Sequence, residues 1–237
     1  DLSGSIITTS PHSHSHPGRY WHLVKGQGFG FFGYGTFSFE VFERLTDSLA
    51  TAIELAMMDR QPRRFGYTVL RDFDPERNIH RDRRRQNNRL PGYEGMDDNL
   101  LLMRTDEPDG TPAAVPSNFG IHGTHLSDTV VTGDAGGAID VEIERLVSAR
   151  YGHPVMGLFV QGNAGDISPA GDRWGHNNFE KIQMVGRATF EVIDAALDDI
   201  TTSDDHAISI VTGRIPISHE ILGYQKGEFF ERDVACD

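Results

Sequence analysis

Cysteine is nearly absent from this chain of 237 residues: Cys236, next to the C-terminus, is the only one. An internal disulfide is therefore impossible, and cysteine usage does not indicate a compartment. Lysine is almost as scarce, with only Lys25, Lys181 and Lys226, so arginine supplies most of the positive charge. The formal charge of −13 argues against nucleic acid as the main partner, because a phosphate-binding face needs a cationic surplus. An acid-rich, lysine-poor surface suits high salt, and a GC-rich genome produces the same bias. No run approaches the roughly 18 apolar residues that span a bilayer. The opening Asp1-Leu2-Ser3-Gly4-Ser5 has neither the order of a signal peptide nor an initiating methionine, so a processed or partial sequence is expected.

What is present is the balance of a folded globular protein. With 38% hydrophobic and 24% charged residues, the chain is too apolar for a disordered one and long enough to bury a core. Short strands are predicted at Ser5–Ser10, Arg64–Phe73, Asn99–Arg104, Ala113–Ile121, Val155–Val160 and Ala207–Ser218. Helices are predicted over Val41–Arg60, Ala138–Ala149 and Phe179–Ile200, from apolar residues at helical spacing. A turn at Asp106–Gly110 and a long polar loop over Asp74–Gly95 complete the order. Alternating strands and helices imply an α/β layered domain, with a mixed central sheet flanked by helices.

Three of these strands lead into compact polar loops, and α/β sites are built outside the carboxyl ends of strands. The first loop holds His12, His14 and His16, the second His122-Gly123-Thr124-His125, and the third Asn163-Ala164-Gly165-Asp166-Ile167-Ser168-Pro169. His12 and His14, two apart, project to the same side of an extended segment, and neutral imidazole suits zinc. A surface-exposed, His-rich turn is the plainer reading of the same spacing. A lone His122 reads first as a structural residue. Ser168 reads first as part of an Asp-x-Ser turn, although two nearby glycines would let backbone N–H groups approach an oxyanion.

The ordered set resembles a known family. Ser10-Pro11-His12-Ser13-His14-Ser15-His16-Pro17-Gly18 is similar to the neutral ceramidase pattern Ala-Thr-His-Thr-His-Ser-Gly-Pro-Gly. Asn118-Phe119-Gly120-Ile121-His122-Gly123-Thr124 resembles that family's strand ending in His-Gly/Pro-Thr. Gln161-Gly162-Asn163-Ala164-Gly165-Asp166-Ile167-Ser168-Pro169 resembles its Gln-Ser-Asn-x-Gly-Asp-Val-Ser-Pro loop, and Asn78-Ile79-His80-Arg81 its Asn-Ile-Asn-Arg. The resemblance implies a zinc-dependent amidase that cleaves the N-acyl bond of ceramide to a fatty acid and sphingosine. A metal hydrolase of another amide or ester, and a non-catalytic remnant that binds metal or lipid, are the alternatives.

By the same resemblance His12 and His122 are zinc ligands and His14 lies beside the metal. Arg81 orients or polarises the substrate, Ser168 is the family's nucleophile, and Asn163 and Asp166 are substrate contacts. A glutamate and a tyrosine completing the zinc set are expected outside this chain, since Glu220, Tyr224 and Glu228 lack the family's context. Residues 1–237 are then expected to be one portion of a catalytic domain. The implied partner is a lipid amide, with association at a membrane surface, and the family's usual location suggests extracytoplasmic work. This sequence departs from the pattern at Pro11, His16, His125-Leu126 and Asp82–Arg85, so His16 and His125 are candidate extra ligands or shapers of the entrance. Gly28-Phe29-Gly30-Phe31-Phe32-Gly33 matches a dinucleotide fingerprint only formally, with no strand before it. The cluster Arg81, Arg83, Arg84, Arg85 and Arg89 reads as a solvated loop, with contact to anionic lipid headgroups as its functional alternative.

Overall fold

The computed structural model describes residues 9–20, 37–83, 95–126, 130–170 and 177–211, with 213, 214, 216, 218, 221 and 223. Thr8–His206 form one compact unit, while Asp1–Ile7 and Ala207–Asp237 belong to another. The Gly28–Gly33 run, Arg84, Arg85, Arg89, Glu220, Tyr224 and Glu228 lie outside the described residues.

Within the larger unit the order is α1 (Phe39–Met58), β1 (Arg64–Leu70), β2 (His80–Asp82), β3 (Leu100–Asp106), β4 (Pro112–Phe119), α2 (Asp134–Tyr151), β5 (Met156–Gln161), β6 (Ile167–Pro169) and α3 (Asn178–Leu197). The main sheet runs β1-β3-β4-β5, and β2 pairs with β6 in a second, two-stranded sheet. β1, β3 and β4 are antiparallel neighbours, whereas β4 and β5 are parallel, with α2 as their crossover. The sheet is mixed, as expected.

Helices α2 and α3 pack on each other, and α2 also packs on β5. Leu100, Leu102, Val115, Phe119 and Phe159 from the strands meet Ile139, Ile143, Val185, Ile193 and Leu197 from the helices in one core. α3 begins with a full capping box between Asn177 and Glu180. On the opposite face of the sheet Tyr67, Val69, Met156 and Leu158 are exposed. α1 is capped by Ser38, and none of its residues is buried, so its apolar stripe of Phe42, Leu45 and Leu49 is not part of this core. Among the described residues no helix is long and apolar enough to cross a membrane.

Three expectations need correction or fall outside view. The strand expected at Ser5–Ser10 lies mostly outside the described residues, and Thr9 and Ser10 carry no strand. The described residues between 207 and 218 form no strand either; Ile208 and Val211 are exposed, and alternation without a pairing partner makes no ladder. Inside the long loop expected over Asp74–Gly95 lies β2, whose three residues are too few to show a period.

Candidate metal centre

Because β4 and β5 are parallel, their carboxyl ends open on the same edge of the sheet. That edge gathers the second and third polar loops. Gly120, one residue past β4, packs so closely on the loop after β5 that a Cβ there would sit 2.1 Å from the Asn163 carbonyl oxygen. Only glycine allows this approach.

Gln161, the last residue of β5, fastens the loops with its carboxamide. Its Nε2 donates to the carbonyls of Ile121 (2.8 Å) and Pro11 (3.0 Å), and its Oε1 accepts from the Ile121 amide (3.1 Å). One side chain thus spans all three candidate loops.

The histidine segment docks alongside. Ser13 bridges Gly123 in parallel, and the His14 amide donates to the Gly123 carbonyl at 2.9 Å. Gly123 is again a site of close approach, since an added Cβ would meet the His12 carbonyl oxygen at 3.0 Å. Ser13 and Ser15 are buried and their hydroxyls turn inward. Ser13 Oγ donates to the Thr132 carbonyl (2.8 Å), which leaves Ser15 to donate to Ser13 (3.0 Å) and Thr132 to donate to Ser15 (2.6 Å). With the serines facing in, His12 and His14 face out together. The segment is not fully extended as expected, because His12 takes a left-handed φ of 56°.

The result is a cluster of three imidazoles. Ring centroids of His12 and His122 lie 4.2 Å apart, and His14 lies 5.4 Å from each. One ring nitrogen from each falls within 4.8 Å of the others. A tetrahedral zinc ion holds its nitrogens about 3.3 Å apart, so small ring rotations close the set. The tautomer of His122 is also suitable. Its Nδ1–H donates to the Ala164 carbonyl at 2.8 Å, and its Nε2 accepts from Arg83 Nη1 at 3.0 Å. A protonated Nδ1 held by a carbonyl leaves Nε2 with the lone pair a metal requires. Burial, opposed by the Ala164 hydrogen bond and reinforced by His12, holds the His122 pKa below that of a free imidazole. Burial and the neighbouring His12 and Arg83 do the same for His14. Both favour the neutral, ligating form. The donor set fits a borderline-soft divalent ion such as zinc.

His16 and His125 do not join this group. His16 is exposed, with Nδ1 2.7 Å from the Pro17 carbonyl, and His125 is buried. His14, expected beside the metal, brings a ring nitrogen within 4.8 Å of both expected ligands.

Of the remaining expected residues, Arg81 and Ser168 come from the small sheet. Antiparallel β2 and β6 set Arg81 directly opposite Ser168, so the two side chains share a face. The Arg83 amide donates to the Asp166 carbonyl at 2.6 Å, tying this sheet to the third loop. Asn163 and Asp166 are exposed at its tip, and Asn163 Nδ2 donates to Asp97 at 3.0 Å.

Two supporting carboxylates were not foreseen. Asp74 is buried and accepts from the amides of Asn78, Ile79 and His80 and lies 3.1 Å from His80 Nδ1, which folds the entry into β2. Burial raises its pKa, but these hydrogen bonds outweigh it and bring the net value below the ordinary carboxylate range. The His80 ring, fully buried, stacks on Phe73 at 4.6 Å. Asp134, at the start of α2, takes a left-handed φ of 50° and accepts from the amides of Leu126 (2.8 Å) and Ala135 (2.7 Å). An acid in a first helical turn, preceded by Thr132-Gly133, was the available sequence signal.

Among solved structures, the chain is similar to neutral ceramidase from Pseudomonas aeruginosa, at 24% identity and a TM-score of 0.58, over 67% of this chain and 26% of that one. It is also similar to a ceramidase complexed with C2, at 24% identity and a TM-score of 0.64, over 79% of this chain and 29% of that one. No protein-family model and no curated protein sequence matches it. The chain therefore carries part of the neutral ceramidase fold and spans under a third of the length of those structures.

Proposed function

We propose that this chain supplies the histidine half of a zinc-dependent amidase site that hydrolyses the N-acyl bond of ceramide or a closely related lipid amide. The observation that carries the reading is the convergence of His12, His14 and His122 at the carboxyl edge shared by β4 and β5. The similarity to ceramidase structures supports the substrate class.

In this reading His12 and His122 hold the ion, and a glutamate and a tyrosine complete the set. A bound zinc would lower the pKa of water to roughly 7 and polarise a carbonyl. The chain's own residues divide the remaining work. His14, kept neutral by its surroundings, can accept a proton beside the ion. Arg81, sharing a face with Ser168, offers a fixed positive charge to an acyl oxygen. Ser168, buried behind the turn closed by Ile167 N–H to the Ala164 carbonyl, supplies a hydroxyl to the same side. Asn163 and Asp166, exposed at the loop tip, would touch the amide or the amino-alcohol end. Net hydrolysis puts hydroxyl on the acyl carbon and a proton on the amine. The lipid amide would be met at a membrane surface, on the extracytoplasmic side.

Metal analysis tests this first. We expect about one zinc per full-length protein, with His12→Ala or His122→Ala losing it. A full-length protein without tightly held metal removes the hydrolase reading altogether. Zinc-loaded protein that leaves a labelled short-chain ceramide intact removes the substrate assignment and keeps the metal site.

A further inference from the structure

The contact between Arg83 and His122 does not belong to the roles above. Arg83 is two residues beyond Arg81, the position that faces Ser168, and its side chain reaches the histidine cluster instead. Its Nη1–H donates to His122 Nε2 at 3.0 Å. His122 has only one lone pair to give in the plane of its ring, because Nδ1 carries the proton held by the Ala164 carbonyl. A guanidinium cannot lose its proton and cannot itself act as a ligand. Arg83 and a metal ion therefore require the same electron pair.

We propose that Arg83 is a built-in competitor of the metal: its guanidinium occupies the His122 lone pair when the metal is absent and is displaced when it binds. The inference rests on the metal reading of the cluster. Two features suit the role. A zinc–nitrogen bond of about 2.0–2.1 Å along the direction now taken by Nη1 leaves no room for a nitrogen 3.0 Å away. The Arg83 backbone is separately fixed through its amide to the Asp166 carbonyl at 2.6 Å, so only the side chain need leave. Metal uptake then releases a guanidinium beside the centre.

The test is a zinc titration of the full-length protein in competition with a chromophoric chelator. Arg83→Ala is expected to bind zinc roughly tenfold more tightly than the native chain, the factor that about 1.4 kcal/mol produces. Arg83→Gln, which keeps length but not charge, is expected to shift in the same direction and guards against a folding defect in the alanine variant. Arg145→Ala removes an equal charge from an α2 pair with Glu142 and is expected to leave affinity unchanged. Equal or weaker binding by both Arg83 variants overturns the inference while leaving the metal site in place. An equal gain in Arg145→Ala overturns it too, since general charge would then explain the effect. Native full-length protein and variants that all fail to take up zinc sink the metal reading and this inference together.

Discussion

Replacing Gln161 with methionine keeps the length of the side chain and deletes its amide. Three hydrogen bonds disappear: two to Ile121 and one to Pro11. Ile121 is 1% exposed, so neither its N–H nor its C=O can turn to water. Each such stranded group costs about 1–3 kcal/mol, whereas the exposed Pro11 carbonyl can be rehydrated at little cost. Methionine recovers roughly 1 kcal/mol through its own burial. The net loss for Gln161→Met is about 2–4 kcal/mol. Urea denaturation followed by circular dichroism should show it as a midpoint lowered by about 1–2 M with an unchanged slope. Because Gln161 ties the His12 and His122 segments together, zinc affinity should fall by about tenfold in the same variant. Gln161→Glu keeps the acceptor but loses both donations, and should be no better at pH 7. A Gln161→Met unfolding free energy within about 0.5 kcal/mol of the native value, with zinc affinity intact, would refute this.

Burial on α2 pushes the Asp140 carboxyl up to about 6, against a hydrogen bond from the Phe159 amide and with help from Glu144. The folded chain then holds a proton that the unfolded chain has released between its ordinary value near 3.8 and 6, so stability falls as pH rises through that window. Asp140→Asn should gain about 1–2 kcal/mol at pH 7, discounted for the partly exposed side chain, and nothing at pH 4; equal gains at both would contradict this. Gly120→Ala drives a Cβ into the Asn163 carbonyl and should cost about 1–3 kcal/mol in thermal unfolding, with zinc affinity reduced; an unchanged melt would count against the close approach. Asp74→Asn must aim an amide N–H₂ at backbone donors that now point to a carboxylate oxygen, at a cost of about 2–3 kcal/mol at pH 7. That penalty should shrink as pH falls through the depressed Asp74 pKa, where the native carboxylate is itself lost. A penalty independent of pH down to unfolding would argue for a purely steric effect.

The three helices and the strands of the main sheet were legible because each carries a repeat long enough to show its period. Ile182, Val185, Ile193 and Leu197 of α3 are buried, and Phe190 packs against the same core, as their spacing demands. β2 and β6 were illegible for the opposite reason: three residues cannot display a period, and their pairing depends on the Asp74 turn far from β6 in sequence. The convergence of the three loops could be anticipated from strand ends, but its fastening could not. Gln161 looks like an ordinary polar strand terminus, and nothing local foretells that its amide reaches Pro11 and Ile121. By sequence Arg83 reads as one charge in a solvated loop, because a contact with His122 across 39 residues leaves no mark on spacing.

The inward-facing hydroxyls of Ser13 and Ser15 divide their segment into two interleaved texts. Ser13 and Ser15 are read by Thr132 and the interior, while His12 and His14 are read by the histidine cluster. Such a segment is forgiving of spelling and intolerant of spacing. Serine to threonine at one position keeps the hydroxyl that these contacts use, but inserting a single residue between Ser13 and His14 exchanges the two readers and turns an imidazole toward Thr132. The length of this short stretch is therefore under tighter constraint than most of its letters.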